Sequence, residues 1–555
     1  MRTKARHGLV FLRGLLPQRA DFTAMRRSPG RDLLAGLTVA IVALPLALAF
    51  GVASGLGAEA GLTTAVIAGI LAAVFGGSNI QVSGPTGAMT VVLVPVVHEF
   101  GTTGVLQVTV MAGVILLALA LSGLGRYVRY LPASLVEGFT AGIAVVIALQ
   151  QVPNMLGLAP GKQEKVWALA WDAVVRFVQA PDPTAPLIAI GVAAVILIGS
   201  RWKPSLPLSL LAVVIVTVIA AFGHTDLPVI GALPSGLPAP SAGFLDLTQL
   251  GFLLPSALAI AALAALESLL SATVADGMSV GERHNPDREL FGQGIANLVV
   301  PFFGGVPATA AIARTAVNVR SGARSRLAAV SHSVVLLVVV LVAAPLVGFV
   351  PLAALAGVLL ATTIQMVQVG AIRAISRATR GDAAVLFITF AVTVAIDLVT
   401  AVVIGLGVAA LLALRAVARS SSVERVALDA GDHGAEERGL LAEHIVAYRF
   451  DGPLFFGAAH RFLLELTEVS AVSVVILRMS RVTTLDATGG LMLDDVITRL
   501  EAKGIVVLVS GIADNHRMVL RRLGVAPHLR TLGRVFADTP DAIAYARTLL
   551  AARKP

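Results

Sequence analysis

Apolar stretches of membrane-spanning length recur along this chain from residue 33 to residue 416, and no other feature restricts its fold as much. Inside a hydrocarbon layer every backbone N–H and C=O must find a partner within the protein, which leaves helices or closed barrels. A helix needs about twenty residues to cross. The stretches lie near 33–53, 61–76, 85–98, 104–122, 131–152, 185–200, 205–222, 251–275, 288–303, 308–320, 327–349, 351–369, 384–397 and 399–416. That is about fourteen segments; 85–98 and 308–320 are too short to cross alone, and the close-set last pair leaves thirteen as the other count. The expected fold is a polytopic α-helical membrane protein. Only 14% of residues are Asp, Glu, Lys or Arg, against roughly 25% in soluble domains. Cysteine is absent, which excludes disulfides and thiolate metal sites.

The net charge of +9 reads as a topology signal and not as a nucleic-acid footprint, because of where the charges fall. With the basic segment 1–31 inside, loops after even-numbered segments should be basic. They hold Arg126 and Arg129; Arg201 and Lys203; Arg283 and Arg288; Arg320, Arg324 and Arg326; Arg373, Arg377 and Arg380; Arg415 and Arg419. Residues 223–250, on the opposite side, contain no Lys or Arg; only the 153–184 loop, with Lys162, Lys165 and Arg176, breaks the alternation. The reading is a multi-pass protein of the cell inner membrane with cytoplasmic N-terminus and C-terminal domain, an even span count, and no cleaved signal peptide.

A weak internal echo suggests a repeat. Phe75-Gly76-Gly77 leads into Ser83-Gly84-Pro85-Thr86-Gly87-Ala88, and Phe303-Gly304-Gly305 leads into Val306-Pro307-Ala308-Thr309-Ala310-Ala311. Each opens one of the two short segments, the third and the tenth. A repeat of seven spans turns its second copy over in the membrane, a transporter plan with interrupted helices. The first N–H groups of such half-helices lack internal partners and carry roughly +0.5 of an elementary charge. Starts at Pro85 and Pro307 would then face each other and form an anion site, with Thr86 and Thr309 adding hydroxyls. Prolines in membrane helices also serve as plain kinks.

Glu267 lies deep in the eighth stretch, with Ser271 one turn on along the same face. A charge at mid-bilayer costs about 2.5–3.5 kcal/mol on insertion scales, and burial penalises the ionised carboxylate. Both favour a proton carrier or a cation ligand; the plainer alternative is a neutral Glu bonding a neighbouring helix. Phe50 suits packing, and Arg314 suits either a positive field on the site or reach to the membrane surface. Residues 419–440 read as a polar linker. From 441 to 555, strands at His444–Phe450, Val472–Met479 and Ile505–Ser510 alternate with helices at Asp486–Lys503, 514–523 and 540–552, a small α/β domain.

These residues resemble the SulP family of anion transporters. The likeness is carried by Leu44-Pro45 through Phe50, Gln81 through Thr90, Ala265-Leu266-Glu267-Ser268-Leu269-Leu270, and Pro307 through Thr315 with Asn318 and Arg320-Ser321-Gly322-Ala323-Arg324. Val482-Thr483-Thr484-Leu485-Asp486-Ala487-Thr488-Gly489 resembles a STAS domain. The resemblance implies fourteen spans in a seven-plus-seven inverted repeat within 32–418. Segments one to four and eight to eleven would form a core, the others a gate, with elevator-like movement between them and assembly as a homodimer. It implies a substrate region at Phe50, Thr86, Thr309, Ala310 and Arg314, and the two expected helix starts add Gly84, Pro85, Pro307 and Ala308 to the candidate binding set. Glu267 matches an acidic position used for a coupled cation, with Ser271 beside it by helical spacing, and phosphorylation, if used, would fall to Thr488. The family's tyrosine-bearing stretch after the first segment is missing at Gly57–Thr63, so sulfate is not assumed.

The expected function is secondary transport of a small anion of the bicarbonate, dicarboxylate or sulfate class, coupled to H⁺ with Na⁺ as the alternative, and with no cofactor. No Gly-x-x-x-x-Gly-Lys-Ser/Thr loop is present to support ATP drive, and no nucleophile–base or metal-ligand constellation supports an enzyme. A nucleobase-type symporter shares the architecture but not the tail. An anion channel or exchanger is the third reading.

Overall fold

The computed structural model describes residues 11–552 apart from 131, 160, 162, 164, 203–205, 223–226, 280–282, 421, 426–443, 455–471 and 526. Residues 1–10 of the basic N-terminal segment, Lys162, Lys203 and most of the 419–440 linker therefore lie outside the described residues. The chain divides into two compact units, one ending at Leu406 and one starting at Gly407.

In the first unit a short helix α1 (Arg19–Met25) precedes α2 (Pro29–Ala53) and α3 (Ala58–Phe75). After a two-residue strand β1 (Ser83–Gly84) comes α4 (Gly87–Ser122), whose 36 residues cover both the third and fourth apolar stretches. Gly101 bends it with φ 68°, a conformation open to glycine and costly to other residues. Next are α5 (Ala133–Met155), α6 (Val166–Gln179), α7 (Thr184–Trp202), α8 (Leu208–Phe222), α9 (Leu250–Met278) and α10 (Pro286–Val299). Strand β2 (Thr309–Ala310) leads into α11 (Ile312–Arg320), followed by α12 (Arg326–Val347), α13 (Leu352–Met366), α14 (Val369–Ala378) and α15 (Arg380–Ala395); α16 (Leu398–Ser420) begins in this unit and runs across the division at Leu406. Each of the fourteen apolar stretches falls on one of these helices. Among the described residues, eight helices are long and apolar enough to cross a bilayer unaided. The nine-residue α11 cannot, as its short apolar run implied.

Packing sorts the helices into the two expected bodies. The core joins α2 to α12, α9 and α10 to α4, and α3 to both α10 and α12. The gate joins α5 to α15, α7 to α13, and α5 to α13. Matched details show the repeat. Pro132 and Pro351 cap the starts of α5 and α13. Gly138 of α5 packs directly on the Leu386 carbonyl of α15, and Gly357 of α13 on the Ala189 carbonyl of α7, where a methyl group would collide in either case. Seven spans apart, α6 follows α5 and α14 follows α13, both amphipathic and both packed on gate helices alone among the stronger contacts.

The 153–184 loop, which broke the charge alternation, holds α6, where Arg176 pairs with Asp172 at 2.8 Å. Other arginines of the basic loops also have partners. Asp21 of α1 accepts from Arg288 at 2.6 Å and lies 3.6 Å from Arg326. Asp32 accepts from the backbone N–H groups of Arg324 and Ser325 and from the Ser325 hydroxyl, closing the turn before α12.

In the second unit five strands run β3 (Ser422–Arg425), β4 (Ile445–Leu454), β5 (Val474–Leu485), β6 (Val506–Ser510) and β7 (Val535–Phe536) in that order across one sheet. The β3–β4 pair is antiparallel and the rest are parallel. Side chains alternate as the pleat requires. Val446, Tyr448, Val475, Leu477, Val507 and Val509 face a core with α17 (Ala487–Ala502) and α18 (Asp514–Leu523). Ile445, Ala447, Val474, Ile476, Val506 and Leu508 face α20 (Thr539–Ala551), which follows the short α19 (Pro527–Thr531). Asp486 caps α17 by accepting from the Gly489 N–H at 2.7 Å, and Thr488 is exposed on its first turn.

Candidate functional site

The two interrupted segments meet through their strands. Ser83 pairs with Ala310 and Gly84 with Thr309, antiparallel, so the chain crosses itself in the interior of the first unit. Buried amides hold the crossing where lipid could not. Asn297 binds both the N–H and the C=O of Ala308 at 2.8 Å. Gln81 Nε2 donates to the Ser268 carbonyl at 2.8 Å, and Asn318 Nδ2 to that of Ile80 at 2.7 Å. Gln293 Nε2 donates to Ser83 Oγ at 2.7 Å, while Glu289 accepts from the N–H groups of Gly77 and Ser78.

The helix starts differ from the proline register read in the sequence. The helices open at Gly87 and Ile312, with Thr86 and Ala311 as caps, two and five residues beyond Pro85 and Pro307. The prolines stand in the extended approaches and not in the first turns. The second approach is three residues longer than the first counted from the prolines and three residues shorter counted from Phe-Gly-Gly, so neither motif sets the helix register. Neither cap residue spends a side chain on its helix. The leading amides, with their share of the helix dipole, therefore remain available to a ligand.

Both helix starts line one cavity of about 340 Å³, through Thr86, Gly87 and Ala88 on one side and Ala311 to Arg314 on the other. Phe50 and Glu267 complete the core wall. The gate contributes Leu135, Val136, Phe139, Thr140 and Ile143 of α5 and Thr362, Gln365 and Met366 of α13. The cavity thus runs from the crossing toward the end of the bundle that holds the start of α5 and the end of α13.

Arg314 is 2% exposed. Its Nη2 donates to the Pro85 carbonyl at 2.6 Å, and its Nη1 has no hydrogen-bond partner among the described residues. Nη1 sits against Gly84, where a Cβ would meet it at 2.5 Å, so the absence of a side chain there makes room for the guanidinium. Glu267 is partly buried, and its Oε2 accepts from the Thr86 hydroxyl at 2.9 Å. A fixed cation with a spare donor, two helix starts and a carboxyl able to take up a cation can hold a small anion together with a counter-charge.

Of the residues singled out in the sequence, the structure gathers Phe50, Thr86, Glu267 and Arg314 around the cavity. Gly84 and Pro85 stand behind it as the seat of Arg314. Thr309 turns its hydroxyl to Ser268 at 2.9 Å and to the Ala264 carbonyl, Ala310 N–H binds Ser268 Oγ, and Ser271 donates to Thr315 at 3.0 Å. Thr309, Ala310 and Ser271 thus join the second interrupted segment to α9, Ala308 is held by Asn297 of α10, and neither these residues nor Pro307 line the cavity. The sequence reading missed the gate-side polar residues Thr140, Thr362 and Gln365; glutamine inside an apolar run was the available signal. It also missed His332, fully buried on α12 with neither ring nitrogen hydrogen-bonded among the described residues.

Residues 30–389 match the sulfate permease family, and residues 441–542 the STAS domain. A putative sulfate transporter YvdB of Bacillus subtilis is 36% identical over 507 residues, covering 89% of this chain and 94% of that one. The bicarbonate transporter BicA of Synechocystis is 34% identical over 511 residues, covering 89% and 90%. The solved transmembrane domain of a cyanobacterial BicA superposes with TM-score 0.63 at 36% identity, covering 68% of this chain and 98% of that domain. SLC26A9 matches in fold with TM-score 0.82 at 16% identity, covering 99% and 94%. An inverted-repeat bundle with two broken helices, followed by a parallel α/β tail, therefore belongs to a known lineage: the chain is a member of the sulfate permease family of membrane anion transporters, with a STAS domain at its C-terminal end.

Proposed function

We propose that the chain is a secondary carrier of a small oxyanion, coupled to proton movement through Glu267. The observation that carries this reading is that Arg314, whose buried Nη1 has no hydrogen-bond partner among the described residues, lines the same cavity as Glu267. A lone guanidinium N–H that deep is stabilised by an incoming oxygen, and a planar two-nitrogen group suits carbonate-, carboxylate- and sulfate-like ligands. The relatives named for bicarbonate and sulfate make these two the first substrates to assay. In this reading Glu267 takes the coupling cation, H⁺ before Na⁺, and Thr86 links that event to the helix start beside the anion. The two separately packed bodies support an elevator-like movement of core against gate. The lysine and arginine alternation supports cytoplasmic termini in a cell inner membrane, and the family resemblance supports a homodimer.

The test is uptake of labelled bicarbonate, sulfate and a dicarboxylate into proteoliposomes under imposed pH and Na⁺ gradients. Glu267→Gln is expected to leave anion binding in place and to abolish the response to the gradient. Gradient-driven uptake that survives this change refutes the coupling role. Conductive flux that neither saturates nor follows a cation gradient refutes the carrier reading in favour of a channel.

A further inference from the structure

Beyond the cavity, α5 carries a polar side chain that the site does not use. Gln150 is 8% exposed, and neither its Oε1 nor its Nε2 has a hydrogen-bond partner among the described residues. Leaving a buried amide unpaired costs about 1–3 kcal/mol for each group. Such a residue marks a ligand or an alternative arrangement.

Its place on the helix suggests which. The cavity touches α5 at Leu135, Val136, Phe139, Thr140 and Ile143. Continuing along that face by turns of three and four residues gives Ile147 and then Gln150. Ile147 packs its Cδ1 directly on Gly87, the first residue of the broken helix α4, while the cavity lining on α5 ends at Ile143. Gln150 is therefore the next polar group on that face of α5 beyond the Ile147–Gly87 contact. It lies about 10 Å along the axis from Ile143 at 1.5 Å per residue.

The other gate helix shows what such a residue does. On the open side, the late turns of α13 expose Thr362 and Gln365 to the cavity. The inverted repeat makes α5 the counterpart of α13, so its late turns, which hold Gln150, border the passage toward the opposite face. We infer that Gln150 is a specificity-determining contact for the anion when the core presents its site to that opposite side, the amide N–H donating to an anion oxygen. This rests on the elevator reading: the core must slide along α5 until the anion beside Gly87 has passed Ile147 and stands level with Gln150.

The chain contains no cysteine, so single introduced thiols can be read without background. Full-length Thr140→Cys and Gln150→Cys variants in sealed vesicles are treated with a membrane-impermeant maleimide from each side. Labelling is expected at position 140 from the cavity side and at position 150 from the opposite side, with sulfate or bicarbonate slowing the latter. In parallel, Gln150→Leu is expected to raise KM about tenfold for anion offered on the opposite side, the loss of one hydrogen bond to a charged group, while KM on the cavity side changes less than about twofold. Gln150→Asn is expected to restore part of the loss. A purely structural role would move both KM values together, which overturns the inference; so does opposite-side labelling at 150 that neither anion slows. If positions 140 and 150 are reached from the same side, the elevator reading itself fails and the inference falls with it.

Discussion

Replacing Arg314 by lysine isolates geometry from charge. The guanidinium has one nitrogen engaged and one spare, with Nη2 on the Pro85 carbonyl at 2.6 Å and Nη1 buried beside Gly84 without a hydrogen-bond partner among the described residues. A lysine ammonium keeps the positive charge but is a single compact donor on a flexible stem. It can hold the buried Pro85 carbonyl or reach the anion, and holding the carbonyl avoids an orphaned acceptor. The anion then loses one charge-assisted hydrogen bond, about 1.5–3 kcal/mol, which is roughly ten- to a hundredfold in affinity at 1.4 kcal/mol per decade. Because the charge remains, the salt dependence of uptake should stay near that of the parent. Arg314→Gln, which removes the charge as well, should lose more. The assay is KM for bicarbonate and sulfate uptake in proteoliposomes, with thermal unfolding of each variant as the control for folding. An Arg314→Lys protein that folds as the parent does and keeps its KM within about twofold would refute the argument, since the spare Nη1 donor would then contribute less than about 0.4 kcal/mol.

Thr86→Val removes the hydroxyl that Glu267 accepts; uptake should keep its maximal rate at saturating anion more nearly than its dependence on the imposed pH gradient, read in the same vesicles. Gly138→Val forces a branched side chain against the Leu386 carbonyl and should destabilise the α5–α15 contact by about 1–3 kcal/mol, seen as a lower thermal midpoint. Asp486→Ala removes the cap on α17 and should cost the tail domain about 1 kcal/mol of stability in denaturant unfolding. At α1, burial pushes the Asp21 carboxyl up, but its hydrogen bonds from Arg288 and the Gln18 N–H and the charges of Arg326 and Arg288 outweigh it and hold it below its ordinary value of 3.8. The folded value lies under the unfolded one, so the contribution of Asp21 is complete above pH 3.8 and is lost as pH falls through the folded value. Hydrogen exchange of the α1 amides should accelerate in that acid window, and Asp21→Asn should show the faster exchange already at neutral pH.

The sequence was most informative where lipid leaves one solution. Runs such as 33–53 and 327–349 admit only helices, and α2 and α12 occupy them. The two short runs were recognisable as half-helices because their length and Gly/Pro approaches conflict with a full crossing. Their register was not legible, because a two-residue strand pair and the amide clasps of Asn297 and Gln293 decide where each helix starts, and these depend on contacts more than 200 residues apart for Gln293. Thr309 and Ser271 illustrate the same limit. Helical spacing puts Ser271 beneath Glu267, but α11 lies close enough to claim its hydroxyl through Thr315. The amphipathic α6 and α14 were hidden because a search for long apolar runs passes over helices that bury one face only. In the tail, continuous apolar runs at 445–448, 474–477 and 506–509 made the strands readable, since a central parallel strand must satisfy a core on each side.

The account stands on an anion held between the two helix starts and Arg314. A cryo-electron microscopy map of the full-length protein in saturating sulfate or bicarbonate tests this directly. Ligand density is expected in the 340 Å³ cavity, within hydrogen-bond reach of Arg314 Nη1 and of the first amides of the helices that open at Gly87 and Ile312. An occupied anion position away from Arg314, with those two helix starts left bare, would contradict it.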